Sequence, residues 1–269
     1  MTIQQSVFEL KRREFVSPNL IRIYLTGEDI EKFEHATLGE NNKLFIPSVD
    51  YKDVQFPVFD NDKKRWDFAN DYNKPYIRTY THRGLDLQNR EMIIDFAYHG
   101  DVGPASAWAA NAQKGDKLGV AMKLGKGALY PESDNYILVG DITAIPVLSV
   151  ILETLPEGKQ VKAFFEVPSE QDKIHIDTKA NAQIEWIVNE DPVSGSPLSK
   201  MVINFLDKVQ ENTFIYAASE YRTIKELRMH LRKQLNWPKE QIYAYSYWKA
   251  GQSEQDSEAS RREERSESN

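Results

Sequence analysis

Arg78-Thr79-Tyr80-Thr81 places a guanidinium, an aromatic plane and two hydroxyls in one short segment. On a strand, Arg78 and Tyr80 face one side and Thr79 and Thr81 the other. The arginine offers a planar fork for a phosphate. The tyrosine offers a stacking face, and either threonine can hydrogen-bond a ring or phosphate atom. Alone, these residues also fit an ordinary strand. Further along, His99-Gly100-Asp101-Val102-Gly103-Pro104-Ala105-Ser106-Ala107-Trp108 is a turn of small residues entering a helix. Gly103, Pro104, Ala105 and Ser106 let a backbone approach a ligand closely, and the N–H groups that open the helix suit a pyrophosphate. In this order, the two pieces suit a flat anionic cofactor such as a flavin dinucleotide.

A third piece, Gly140-Asp141-Ile142-Thr143-Ala144-Ile145-Pro146, follows an apolar strand. It lacks the second glycine of the GxGxxG fingerprint. It is nonetheless a strand–turn–helix at the carboxyl end of a parallel strand, where nucleotides bind in open sheets. Ala217-Ala218-Ser219-Glu220 repeats that geometry. Such turns also occur as plain connections in every α/β domain.

These pieces need two kinds of framework. The chain has 269 residues, enough for one large domain or two ordinary ones. A net charge of −7 argues against a general nucleic-acid binder but leaves room for a local basic pocket. The absence of cysteine removes disulfides, thiolate catalysis and cysteine-ligated iron–sulfur clusters, and it suits the cytoplasm. The first residues lack a signal-peptide pattern, and no apolar run has membrane-spanning length.

Ser6 to Phe15, Leu20 to Leu25, Lys43 to Ile46, Tyr76 to Tyr80 and Met92 to Tyr98 read as strands, with a turn at Ser17-Pro18-Asn19. Asp50 to Pro75 reads as an insertion or long loop. A short helix is expected from about Ala105 to Gln113. The first half is therefore an antiparallel barrel. Beyond Pro131, strands at Tyr136 to Val139, Val161 to Val167, Ile184 to Val188, Phe214 to Ala218 and Ile242 to Tyr245 alternate with helical patterns. The helices are expected from Thr143, as cap, through Leu155, and at Leu198 to Val209 and Ile224 to Leu235. Alternation of this kind implies a parallel sheet covered on both faces. Gly251 to Asn269 has no apolar residue larger than alanine and reads as a polar tail or solvated helix.

The combination resembles the siderophore-interacting proteins, or ferric-siderophore reductases, among the ferredoxin-reductase-like flavoproteins. The matching residues are Arg78 to Thr81, His99 with Gly103 to Ala109, Gly140-Asp141 with Thr143-Ala144 and Pro146, and Tyr245-Ser246-Tyr247-Trp248-Lys249-Ala250-Gly251. The resemblance implies a six-stranded antiparallel FAD-binding barrel over residues 1–130. It also implies an NAD(P)H-binding domain with a five-stranded parallel sheet over 131–250, and a tail over 251–269. It further implies reduction of a ferric siderophore, with Fe(II) released in the cytoplasm. By position, Arg78, Thr79, Tyr80 and Thr81 would hold FAD, with Asp95, His99, Gly103, Pro104, Ala105, Ser106 and Trp108 lining its site. Trp248 would shield the flavin ring. Gly140, Asp141, Thr143, Ala144, Ser219 and Glu220 would face NAD(P)H. Ile142, Ser219 and Leu124-Gly125-Lys126-Gly127 depart from the family's usual residues, which keeps ferredoxin open as donor.

Lys43 is a candidate contact for an anionic substrate, or a solvated lysine. Arg261, Arg262 and Arg265 fold over the substrate or belong to the polar tail. Arg222, Lys225 and Arg228 suit a 2′-phosphate or a solvated helix face. The five histidines lack metal-ligand spacing, and His35, His175 and His230 read as surface residues. Competing functions are a flavin enzyme with another acceptor and a siderophore carrier without turnover. The siderophore and the oligomeric state are not legible.

Overall fold

The computed structural model describes residues 2–48, 51–62, 64–69, 71–125, 127–206, 212–252 and 256. The chain divides into two compact units, Met1–Leu129 and Tyr130–Asn269.

The first unit contains, in chain order, β1 (Ile3–Ser17), β2 (Leu20–Thr26), β3 (Asn41–Ile46), β4 (Val58–Asp60), β5 (Arg65–Asp67), β6 (Tyr76–Thr81), β7 (Gly84–Asp86), β8 (Glu91–Ala97), α1 (Pro104–Asn111) and β9 (Lys117–Lys123). Seven strands form one antiparallel sheet in the order β6-β3-β9-β1-β2-β8-β7, and β4 and β5 pair with each other in a separate two-stranded ribbon. The strand count is thus seven rather than the expected six. Strand β7 has three residues, too few for alternation to be visible, and forms a hairpin with β8. Strand β9 also escapes the pattern, because Gly119 and Ala121 dilute the alternation of Leu118, Val120 and Met122.

Period-two alternation puts Phe8, Ile21, Ile23, Leu25, Leu44, Ile94, Phe96, Leu118 and Val120 in one core. Each such side chain stabilises the unit by roughly 1.5–3 kcal/mol relative to exposure. The sheet curls. Tyr80 on edge strand β6 lies 4.2 Å, centroid to centroid, from Phe96 on β8, far across the strand order.

The expected insertion is not wholly irregular, since it contains the β4–β5 hairpin. Its earlier part folds onto the sheet face opposite the core. There Phe56 meets Phe45 at 4.9 Å, and Gly119 leaves room for Val54, whose Cγ1 would lie 2.6 Å from any added Cβ.

The second unit contains β10 (Asn135–Asp141), α2 (Ile145–Thr154), β11 (Gln160–Val167), β12 (Asn181–Val188), α3 (Leu198–Leu206), β13 (Thr213–Glu220), α4 (Tyr221–Met229) and β14 (Ile242–Trp248). All five strands are parallel, in the order β12-β11-β10-β13-β14. One face packs Ile137, Val139, Ile215 and Ala217 against Leu198 and Val202 of α3 and Ile224 and Leu227 of α4. Helix α2 takes the other face, where Gly140 permits its close approach. A Cβ at Gly140 would lie 2.6 Å from Ala144 Cβ, 2.7 Å from Leu148 Cδ1 and 2.9 Å from the Ala218 carbonyl oxygen.

Thr143 does not cap α2. The N-cap is Ala144, without a side-chain hydrogen bond, because the Thr143 hydroxyl donates to Asp141 instead. Helix α4 starts three residues earlier than expected and passes into a π-turn at His230–Gln234. The expected end of α3 near Val209 and the expected substrate arginines Arg261, Arg262 and Arg265 lie outside the described residues.

Candidate functional site

In the first unit, β6 pairs with β3 so that Arg78 opposes Leu44, Thr79 opposes Lys43, and Tyr80 opposes Asn42. Arg78 and Tyr80 therefore share the core-directed face with Leu44, while Thr79 shares the outer face with Lys43. Tyr80 is half-buried and lends one ring face to Phe96. Arg78 Nη1 donates to the Ile77 carbonyl at 2.8 Å. Lys43 is exposed, and its Nζ donates to Thr79 Oγ1 at 2.5 Å. Thr81 is buried.

Two groups beside this strand were not anticipated. His82, buried with 1% exposure, has no partner on either ring nitrogen among the described residues. Burial pushes its pKa down to about 4. Arg83 stands 3.5 Å from Asp95 Oδ2. Extending the Arg78–Thr81 motif by two residues would have reached it. Asp95 itself is buried and holds Arg22 through two contacts, Nε–Oδ1 at 2.7 Å and Nη2–Oδ2 at 2.8 Å. That pair raises the Arg22 guanidinium above its usual range. The Asp95 carboxylate therefore positions two arginines rather than standing open to a ligand.

The turn before α1 is built as the chemistry requires in one part and not in another. Gly103 is exposed, has φ +94°, and has open space where a Cβ would stand. Pro104 opens the helix, consistent with its missing N–H. The N–H groups of the first turn lack intrahelical partners in any helix. Ser106, by contrast, is buried, and its hydroxyl donates to the Gly100 carbonyl at 2.6 Å. It braces the turn and is not available to a phosphate. Ala105 is buried, His99 is exposed, and Trp108 packs on the core with its ring 6.3 Å from Phe96. An exposed positive-φ glycine at a helix start, with an arginine and a half-buried tyrosine on the neighbouring strand, fits a flavin dinucleotide.

In the second unit the structure turns most of the expected nucleotide residues inward. Asp141 is 4% exposed. Its carboxylate accepts from Ser219 Oγ at 2.8 Å, Trp248 Nε1 at 2.8 Å, Thr143 N at 2.9 Å and Thr143 Oγ1 at 2.5 Å. Gly140, Ala144 and Ser219 are buried as well, and Gly140 serves helix packing. Of that turn only Ile142 and Thr143 keep partial exposure. The Trp248 indole N–H is committed to Asp141.

A cleft of about 200 Å³ opens instead at the starts of α3 and α4, lined by Pro192, Gly195, Ser196, Lys200, Glu220, Arg222, Thr223 and Glu226. Glu220 is the one expected nucleotide residue that lines it. Its side chain caps α4 through Arg222 N at 2.5 Å. Ser196 donates to the buried Glu166 at 2.5 Å, and burial pushes the Glu166 carboxyl up. Of the three helix cations, Arg222 lines the cleft and Lys225 is exposed. Arg228 is buried and donates to the Ala244 carbonyl at 2.8 Å. Lys200 and Ser196 gave no signal in the sequence, because the cleft is assembled from a loop and two helix starts.

A curled antiparallel sheet and a five-stranded parallel sheet in one chain define the ferredoxin-reductase-like fold. The ferredoxin reductase of carbazole 1,9a-dioxygenase shares it, with a TM-score of 0.60 at 12% identity over 92% of this chain and 70% of that one. Residues 9–124 match the siderophore-interacting FAD-binding domain, and residues 133–251 match the siderophore-interacting protein model. The chain belongs to the siderophore-interacting protein family. It is 34% identical over 251 residues to the ferric vibriobactin reductase ViuB of Vibrio cholerae, spanning 93% of this chain and 91% of that one. A siderophore utilization protein from T. fusca superimposes with a TM-score of 0.79 at 28% identity over 93% and 95% of the two chains. The family places the chain among FAD-binding oxidoreductases. No helix among the described residues is long and apolar enough to cross a membrane.

Proposed function

We propose that this protein is an FAD-dependent ferric-siderophore reductase that draws electrons from NAD(P)H and releases iron as Fe(II) in the cytoplasm. The observation that carries this is the pairing of the Arg78–Thr81 strand with the open Gly103 helix start in a matched FAD-binding domain. Bound FAD would supply the redox chemistry, taking a hydride from the nicotinamide and giving electrons singly to Fe(III). The protein supplies binding and electrostatics. Arg78 would meet a phosphate, Thr79 and Thr81 would hydrogen-bond the cofactor, and the aromatic plane of Tyr80 would support its ring. Gly103, with the N–H groups after Pro104, would receive the pyrophosphate. Asp95 would act through Arg22 and Arg83, and His99 and Trp108 would wall the site. Lys43 would attract an anionic chelate.

For the donor, Lys200 and Arg222 give the cleft two cations suited to nucleotide phosphates, beside Glu220. The inward burial of Gly140, Asp141, Ala144 and Ser219 favours a second reading, in which reduced ferredoxin is the donor.

Purified protein should be yellow and release FAD on denaturation. Colourless protein without FAD sinks both readings. Anaerobic titration with NADH, NADPH and reduced ferredoxin in turn identifies the donor by bleaching of the flavin. Ferric-siderophore turnover is then followed with a ferrous trap, and failure to accumulate Fe(II) sinks the reductase assignment.

A further inference from the structure

Phe15, near the end of β1, leaves 54% of its surface in water. A single exposed apolar side chain on the solvent face of a sheet is ordinary. This one stands on the other face. Phe15 opposes Ile21 on β2, and Ile21 opposes Phe96 on β8, so the three share the face that carries the core. Phe96 in turn meets Tyr80 of β6 at 4.2 Å. Tyr80, Phe96, Ile21 and Phe15 thus form a row across four strands, buried at Phe96 and Ile21 and open at Phe15.

Helix α1 lies along this row. Trp108 stands 6.3 Å from Phe96, and Arg13 of β1 donates to the Ala109 and Ala112 carbonyls at 3.2 and 3.1 Å, at the end of the helix. Two residues further along β1, the Phe15 ring meets Tyr98 edge-on at 5.9 Å. Tyr98 is fixed in place. Its N–H donates to the Asn19 carbonyl at 2.8 Å, and Asn19 Nδ2 donates to its carbonyl at 3.0 Å. From Tyr98 the chain passes directly into the His99–Gly103 turn that opens α1. Gly100 and Gly103, at φ +82° and +94°, have open space where a Cβ would stand. An exposed aromatic ring is therefore held against the residue that leads into the turn proposed above for the pyrophosphate.

A dinucleotide whose pyrophosphate meets that turn has a ring system on either side of it. Tyr80, assigned to the flavin ring, is at one end of the row, and Phe15 is at the other. A purine gains from stacking on an aromatic face whatever its hydrogen-bonding edge meets. We propose that Phe15, braced by Tyr98, is the platform for the adenine ring of FAD, and that the chain favours FAD over FMN through it. The inference rests on the FAD reading and deepens it.

The test titrates the full-length protein, freed of flavin and checked for its fold by circular dichroism, with FAD and with FMN, followed by quenching of flavin fluorescence. FMN carries the same ring and one phosphate but no adenosine. Phe15→Ala should weaken FAD by roughly ten-fold, in keeping with loss of one base–aromatic stack, and leave the FMN Kd unchanged. Phe15→Tyr keeps the plane and should leave both unchanged. Release of FAD from the protein as purified, followed on dilution, should be faster in Phe15→Ala by a similar factor. Equal weakening of FAD and FMN overturns the proposal, because Phe15 then serves only the shape of the turn. An unchanged FAD Kd in Phe15→Ala overturns it too. So does a dimer, seen by sedimentation, that Phe15→Ala dissolves while the ratio of FAD to FMN affinity stays the same, because the ring then serves a second copy of the chain. If the wild type binds FMN as tightly as FAD, the adenine platform falls and flavin binding stands. If it binds neither, the FAD reading itself falls.

Discussion

Trp248 donates its indole N–H to Asp141 at 2.8 Å, a bond between residues 107 positions apart in the chain. Ser219 donates to the same carboxylate, so the carboxyl ends of β10, β13 and β14 are joined through one buried side chain. The bond explains why Asp141 reads as a ligand group in the sequence and is not available as one in the fold.

Asp141→Ala leaves the Ser219, Trp248 and Thr143 donors without their acceptor, and a buried unpaired donor costs about 1–3 kcal/mol. Trp248→Phe keeps most of the ring volume and removes one bond, at about 1 kcal/mol. Thermal unfolding should therefore rank wild type above Trp248→Phe and Trp248→Phe above Asp141→Ala. A neutral Asp141→Ala would show that the node does not hold the sheet.

Gly140→Ala should destabilise the protein by about 1–3 kcal/mol through overpacking. The new methyl would meet Ala144, Leu148 and the Ala218 carbonyl, all under 3.0 Å. Adding Leu148→Ala should not restore stability, since Ala144 and the backbone oxygen remain. Recovery in the double variant would assign the clash to Leu148 alone.

His82 gives a pH dependence of defined sign. Its folded pKa of about 4 lies below the unfolded value near 6.5, so the unfolded chain binds the extra proton between those limits. The stability that its neutral ring contributes is complete above about pH 6.5. It is lost as the pH falls from about 6.5 to about 4, in total on the order of 3 kcal/mol. Denaturant unfolding of wild type and His82→Phe should differ in slope only across that window. Parallel profiles through it would place the ring in a more solvated setting than the fold shows.

The cleft at α3 and α4 distinguishes the donors. If NADPH binds there, Lys200→Ala and Arg222→Ala should each raise its KM by roughly ten-fold with kcat unchanged, as expected for loss of one charged phosphate contact. NADH should respond less, and reduced ferredoxin should not respond through this cleft. Unchanged NADPH kinetics in both variants would remove the cleft from the donor site.

The parallel sheet was legible because its three central strands are buried along most of their length and appear as apolar runs, such as Tyr136 to Val139. The barrel was less so. Lys117–Lys123 hides its alternation behind glycine and alanine, and Gly84–Asp86 is too short to show a period. Arg78 to Thr81 and Gly103 stand out in the sequence because their pattern lies within a few consecutive residues. Side-chain fate was not legible. Nothing near Ser106 in sequence says that its hydroxyl turns to Gly100, and nothing near Asp141 names Trp248 or Ser219. The cleft depends on Ser196, Lys200 and Arg222 meeting only after α3 and α4 pack, so no single segment could announce it.

Strand β9 is the last of the first sheet in sequence, yet it lies between β3 and β1 in the strand order. Before Lys117–Lys123 is made, a nascent chain therefore holds two separate ribbons, β6-β3 and β1-β2-β8-β7, each with an open edge facing the gap. Pairings so distant in sequence close slowly, and unpaired edges invite association with other chains. Completion of the cofactor domain is thus gated by its final seven-residue strand, and the interval before that strand emerges is when this protein most needs protection from its own copies.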